Sequence, residues 1–259
     1  MVVVAFGVQA ADKTHRSKVN SLPKIIIVLD DVGYKKSDAA AFDLPVEVAF
    51  SILPQTPYAN EYANRANAQG RDVMLHLPMS SQRKRALGPA ALKVGMYDQD
   101  IEQVLIDALD SVPHVIGVNN HMGSALTEQY APMRTLMSAL KSRSLFFLDS
   151  RTSPHSVAFE TARDIGLATD KRHIFIDHIQ TEAFYEQQVH RLIRIAKKYG
   201  RAIGIAHPYP SSLRYLSHAL NDIERQGVTL QHVSDYFDSR FPRERKSYKS
   251  TELVAAPSE

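Results

Sequence analysis

Seven short apolar runs alternate with longer stretches of helical periodicity, and nearly every run ends in, or is followed at once by, an ionisable or amide side chain. The runs are Lys24–Leu29, Val46–Ile52, Asp72–His76, Val115–Asn119, Leu145–Leu148, His173–Ile176 and Ala202–Ala206. Most are apolar throughout rather than alternating, as expected of strands buried on both faces, so the pattern predicts repeated βα units around a parallel sheet. No tandem repeat or low-complexity stretch competes with that reading.

The intervening segments carry helix signals. Ile101, Val104, Leu105, Ala108, Leu109 and Val112 form one apolar stripe and predict a helix over Asp100–Val112. Thr56-Pro57 reads as an N-cap and first helical residue, Pro132 as the start of a further helix, and Gly200 as the stop of a helix over Phe184–Tyr199. The connection from Met79 to Gln99 has weak periodicity and reads as a loop over the mouth of the fold.

A chain of 259 residues with 44% hydrophobic and 23% charged residues can bury one large core. No linker interrupts Lys24 to Phe237, so one domain is expected over 24–238. The net charge of +3 gives no ground for a nucleic-acid partner. Much of the basic excess lies in a tail, 239–259, expected to be a disordered, solvated end. With no cysteine, thiolate metal sites and a cysteine nucleophile are excluded. Residues 1–23 read as a signal-peptide remnant and linker: Val2–Ala11 is apolar, ends in Val8-Gln9-Ala10-Ala11 and is too short to span a bilayer, although it lacks a basic leader. An exported, periplasmic protein with no integral membrane span is the expectation.

Functional groups of parallel α/β folds gather at the C-terminal ends of strands. Here those ends hold Asp30-Asp31, His76, Asn119-Asn120-His121, Asp149-Ser150-Arg151, Asp177-His178 and His207-Pro208. Singly, each has a structural explanation, such as a helix cap or a hydrogen-bonded loop histidine. Together on one rim they would crowd costly charges unless a cation relieves them. Asp31, His76 and His121 form an oxygen-plus-imidazole set suited to Zn²⁺ or a similar ion with a position left for water. A Mg²⁺ phosphoryl-transfer site fits less well, because Mg²⁺ seldom takes imidazole and no glycine-rich phosphate loop follows a strand.

The strings Ile25-Ile26-Ile27-Val28-Leu29-Asp30-Asp31-Val32-Gly33, Leu75-His76-Leu77-Pro78-Met79, Asn119-Asn120-His121-Met122-Gly123-Ser124, Phe147-Leu148-Asp149-Ser150-Arg151-Thr152 and Ile205-Ala206-His207-Pro208 resemble the divergent polysaccharide deacetylase family (polysaccharide deacetylase 2, YibQ-like). The resemblance implies a single-domain, distorted (β/α)7-type barrel and metal-dependent removal of acetyl groups from a polysaccharide or oligosaccharide, with a glycan as partner. It also implies that Asp30 is the general base and Asp31 a ligand of one divalent metal, Zn²⁺ by preference. After His76 the sequence departs from the pattern of two histidines on one motif, and His121 from the next strand is the replacement. Of the remaining groups, His207 would protonate the leaving group or else be structural, Asp149 would orient it, and Arg151 would steady negative charge; Asp177-His178 is assigned to capping or support. The alternative function is a catalytically weak or inactive barrel that binds cell-wall glycan or a partner protein.

Overall fold

The computed structural model describes residues 22–241 apart from Lys84, so the expected signal segment and most of the basic tail lie outside the described residues. The strands are β1 (Lys24–Val32), β2 (Ala49–Ile52), β3 (Val73–Met79), β4 (Val115–Met122), β5 (Phe146–Asp149), β6 (Thr169–Lys171), β7 (Ile174–Phe175), β8 (Arg201–Ala206) and β9 (Thr229–Leu230). The α-helices are α1 (Ala59–Ala68), α2 (Asp98–Ser111), α3 (Tyr130–Ser142), α4 (Ala158–Asp164), α5 (Glu182–Tyr199), α6 (Pro210–Asn221) and α7 (Val233–Arg240). All strand pairs are parallel, in the order β6-β5-β4-β3-β2-β1-β8-β7, with β9 added beside β1.

The two ends of that order are joined by a two-residue bridge. Arg172 N–H still donates to Asp149 O on β5 (2.9 Å), while His173 N–H donates to Ile203 O on β8 (3.0 Å). Residues 169–175 therefore act as one bent strand that hands the ladder from β5 to β8 and curls the sheet into the expected distorted barrel. The sequence pattern marked only the second half of this strand, because Thr169-Asp170-Lys171 is polar.

Two apolar clusters divide the barrel's inside from its outside. Ile25, Ile27 and Leu29 pack outward with residues of α1, α2, α3, α5 and α6. The alternate residues Ile26 and Val28 join Ala49, Met74, Phe146, Leu148, Ile203 and Ile205 inside, where Val233, Tyr236 and Phe237 of α7 also pack. The period of two then carries Asp30, Ser51, His76, Asn119, Ser150 and His207 onto the same inner face, one layer higher. The barrel is thus filled with hydrocarbon at its N-terminal end and with polar groups at its C-terminal end.

Helix boundaries follow local chemistry. Thr181 caps α5 by accepting from Phe184 N–H, Lys197 and Lys198 face the negative end of its dipole, and Gly200 at φ 83 ends it. Thr56 is not the N-cap of α1; its hydroxyl donates to Leu53 O, closing a turn, and the helix begins three residues later. Pro132 lies within the first turn of α3, two residues after its start. Strands β1, β3 and β4 run three residues beyond the apolar runs, since the β3/β4 ladder continues as far as Met79 and Met122. The candidate groups on them therefore stand on paired strand backbone rather than on loops. The described residues of the 80–97 connection form no helix, and it is fastened to the rim where Leu92 N–H donates to Pro78 O and Gln82 N–H to Ser124 Oγ.

Candidate active site

Consecutive strand residues ordinarily point to opposite faces, so Asp30 and Asp31 should diverge. A bulge prevents this. Leu29 pairs with Phe50 and Val32 with Ile52, so β1 carries one residue more than β2 across that interval. Asp31 absorbs the extra residue at φ 62, a left-handed conformation that Asp adopts more readily than most side chains. Both carboxylates then face His76: Nε2 lies 3.7 Å from Asp30 Oδ2 and 3.2 Å from Asp31 Oδ1.

Asp31, His76 and His121, taken from three strands, converge. Asp31 Oδ1 is 2.8 Å from His121 Nδ1, and the two ring nitrogens are 3.1 Å apart. The three donor atoms form a triangle with edges near the roughly 3.3 Å that tetrahedral ligands about 2.0 Å from one ion would show. Asp31 is 32% exposed as a side chain, yet its Oδ1 is buried and accepts no hydrogen bond. A buried carboxylate oxygen without a donor, facing two imidazole nitrogens, is a poor resting arrangement for protein alone and a fitting one for a divalent cation. The residues present therefore fit the metal that the resemblance implies.

Asp30 stands at the base of the cluster, 2% exposed, with Oδ1 accepting from Asn119 Nδ2 at 2.8 Å. Burial raises its pKa, against the opposing pull of His76 and His207. Burial would raise Asp31 as well, but its contacts with His121 and His76 outweigh that and hold it well below the usual carboxylate range. For His76, burial opposes the charge and the neighbouring carboxylates favour it, with a net upward shift.

His207 enters from the residue directly after β8, its Nε2 4.0 Å from Asp31 Oδ2. Its Nδ1 lies 2.8 Å from Asp177 Oδ1, and Asp177 Oδ2 accepts from the His207 backbone N–H (2.7 Å) and from Ser212 Oγ (2.8 Å). Burial would lower the His207 pKa, but the hydrogen bond to Asp177 and the charges of Asp177, Asp31 and Asp30 push it up to about 9. The fully buried Asp177 thus takes the orienting role expected of Asp149. Asp149 is also fully buried, but it accepts from Arg151 N–H and Ser156 Oγ and braces its own loop.

Arg151 does not point its charge at the cluster; its guanidinium donates back to Pro154 O and Ser156 O. Its charge still acts on Asp149, and Arg172, at the seam of the barrel, is a cation whose charge reaches both Asp30 and Asp149. Its side chain donates to Ser150 O and Arg151 O and stacks on Phe175. Burial lowers its pKa to about 10, which leaves it charged at neutral pH. Sequence reasoning missed Asn119 and Arg172 as site residues. Asn119 could have been found from its position two residues before His121 on one strand, which places both on the same face.

The model of the divergent polysaccharide deacetylase family matches residues 27–237. The chain belongs to that family. An uncharacterised protein of Haemophilus influenzae is 40% identical over 201 residues, 77% of this chain and 72% of the relative. The uncharacterised YibQ of Escherichia coli is 36% identical over 194 residues, 74% of this chain but 61% of the relative. Among solved structures, an uncharacterised Agrobacterium tumefaciens protein, ATU2773, superposes with a TM-score of 0.80 at 23% identity, covering 83% of this chain and 89% of that one. The catalytic domain of a peptidoglycan N-acetylglucosamine deacetylase from Eubacterium rectale shares the fold at a TM-score of 0.50 and 14% identity, covering 83% and 90%. Among the described residues no helix is long and apolar enough to cross a membrane.

Proposed function

We propose that this protein is a divalent-metal-dependent hydrolase, with Zn²⁺ as the preferred ion, that removes acetyl groups from a polysaccharide or oligosaccharide. One observation carries the reading: Asp31 Oδ1, His76 Nε2 and His121 Nδ1 converge between a buried second carboxylate, Asp30, and a histidine held by its own buried carboxylate. Family membership supports the acetylated-glycan substrate. The apolar Val2–Ala11 run is the ground for placing the protein in the periplasm, with cell-wall glycan in reach.

Asp31, His76 and His121 would hold a divalent cation, which would supply Lewis acidity there to polarise a carbonyl and lower the pKa of water. Asp30 takes up the proton released as water adds to the acetyl carbon, and the upward shift that burial gives its pKa makes it a stronger base than an exposed carboxylate. Across the cluster, His207 is protonated at neutral pH and gives the Nε2 proton to the departing amine or alkoxide as the C–N or C–O bond breaks. Asp177 keeps the other ring nitrogen occupied, so Nε2 alone faces the reacting groups.

The test combines metal analysis with acetate release from chitooligosaccharide or acetylated peptidoglycan fragments in the presence of Zn²⁺ or Co²⁺. Asp31→Ala should abolish stoichiometric metal. Asp30→Asn should keep the metal and lower turnover by about 10²–10⁴-fold. Full activity in Asp30→Asn would remove Asp30 from the mechanism, and a metal-free wild type that binds glycan without releasing acetate would make the barrel a binding module.

A further inference from the structure

Asn119 is fully buried in β4 and uses both ends of its amide inside the site. Nδ2 donates to Asp30 Oδ1 at 2.8 Å and to Ser150 Oγ at 3.2 Å. Oδ1 lies 2.7 Å from His76 Nδ1 and accepts from Ser51 Oγ at 2.5 Å. We infer that Asn119 is a positioning residue for both halves of the reaction: one end of its amide sets the tautomer of the metal-binding His76, and the other holds the base Asp30. The inference rests on the metal-hydrolase reading for the words metal and base.

The polarity of the network follows from which groups can donate. A base about to take up a proton is a carboxylate and can only accept, so the end of Asn119 that meets Asp30 is the NH₂ end. The end that meets His76 is then the carbonyl, which also only accepts. His76 Nδ1 must therefore carry the proton, and a neutral imidazole has just one. Nε2 is left with its lone pair directed at Asp31 Oδ1 and His121 Nδ1, 3.2 and 3.1 Å away. Among the described residues no other group bonds His76 Nδ1, so nothing else sets this tautomer. Ser51, also fully buried, fixes the carbonyl end from β2, and Ser150, the residue directly after β5, fixes the amide end. The side chain thereby links the ligand and the base through two bonds under 3 Å, with no room for independent rotation.

A bland alternative is that Asn119 is only a satisfied core amide. The two roles are separable by substitution. Asn119→Asp keeps an acceptor for His76 but replaces the donor to Asp30 with another oxygen. Asn119→Ala removes both. Metal affinity is measured by titrating the metal-free full-length chain with Zn²⁺, and turnover by acetate release at saturating Zn²⁺. Asn119→Ala should bind Zn²⁺ about 10–100-fold more weakly. Asn119→Asp should bind it at least as tightly as wild type while kcat falls by about 10²-fold. A merely structural amide would lower both quantities together in both variants, and that result overturns the inference, as does unchanged affinity in Asn119→Ala.

A measurement on the wild type keeps the question open to test if a variant fails to fold. In the Zn²⁺-loaded chain with ¹⁵N-labelled histidine, the expected signature is a protonated, slowly exchanging Nδ1 on His76. Protonated Nε2 there overturns the inference. A wild type that binds no divalent ion defeats the metal-hydrolase reading itself, whereas normal wild-type binding with an indifferent Asn119→Ala defeats this inference alone.

Discussion

His207 shows how much of the chemistry depends on one partner. Its pKa is raised from the ordinary 6.5 to about 9, so the stabilisation it gains from Asp177 is fully present below about 6.5 and lost as pH rises through 9. In the metal-free protein, NMR titration of the imidazole should find a midpoint near 9. Asp177→Asn should bring it down toward the ordinary value, and an unmoved midpoint would show that Asp177 is not the cause. On the proposed metal-hydrolase reading, a bound cation would offset the attraction of Asp31 and Asp30, so the basic limb of kcat is expected below 9. Asp30, Asp31, His76, His121 and His207 were legible in the sequence because charged or imidazole side chains stand out at the ends of apolar runs. Which carboxylate serves His207 was not. Asp149 and Asp177 look alike in sequence, and only adjacency separates them: β7 pairs with β8, whereas β5 lies on the far side of β6. Asn119 was hidden for a different reason, since a neutral amide acquires a role only from partners on distant strands.

Among the secondary-structure elements, β4, β5 and α7 depend on one another at the closed end of the barrel. Phe146 of β5 stacks on Phe237 of α7 with centroids 3.9 Å apart and planes 11° from parallel. Another neighbour is Gly117 of β4, where an added Cβ would meet the ring at 2.2 Å. The glycine makes room for an aromatic ring inside the barrel, so Gly117→Ala must displace either Phe146 or α7. It should destabilise the protein by about 1–3 kcal/mol in denaturant unfolding, the usual cost of overpacking a filled core. A near-neutral effect would mean that α7 yields freely and does not seal the barrel. Seven strands were visible in the sequence because their interiors are apolar on both faces. Their polar ends were cut short by the same criterion, and Thr169–Lys171 was missed for having no apolar pattern at all. The turn at Thr56 misled because Thr-Pro suits a tight turn as well as a helix start.

Taken as a whole molecule, the barrel sets hydrocarbon and charge in two layers along one axis. Met74 and His76 differ by two residues on one strand, yet the first joins the apolar plug and the second the candidate metal cluster. The lower layer stabilises the fold through burial. The upper layer places Asp30, Asp31, His76, His121 and His207 together, and this is expensive without an ion. Metal binding and folding should therefore be coupled more strongly than in a barrel whose ligands lie on loose surface loops, because the ligands stand on β1, β3 and β4. A cation present at about 100 times its Kd adds roughly 2.7 kcal/mol to the folded state. For a chain of this size that corresponds to a rise in Tm of about 5–10 °C, reversed by a chelator. Asp31→Ala should show no such rise. If the wild type melts at the same temperature with and without Zn²⁺, the upper layer is held together by its own hydrogen bonds, and the buried, donorless oxygen of Asp31 requires another explanation.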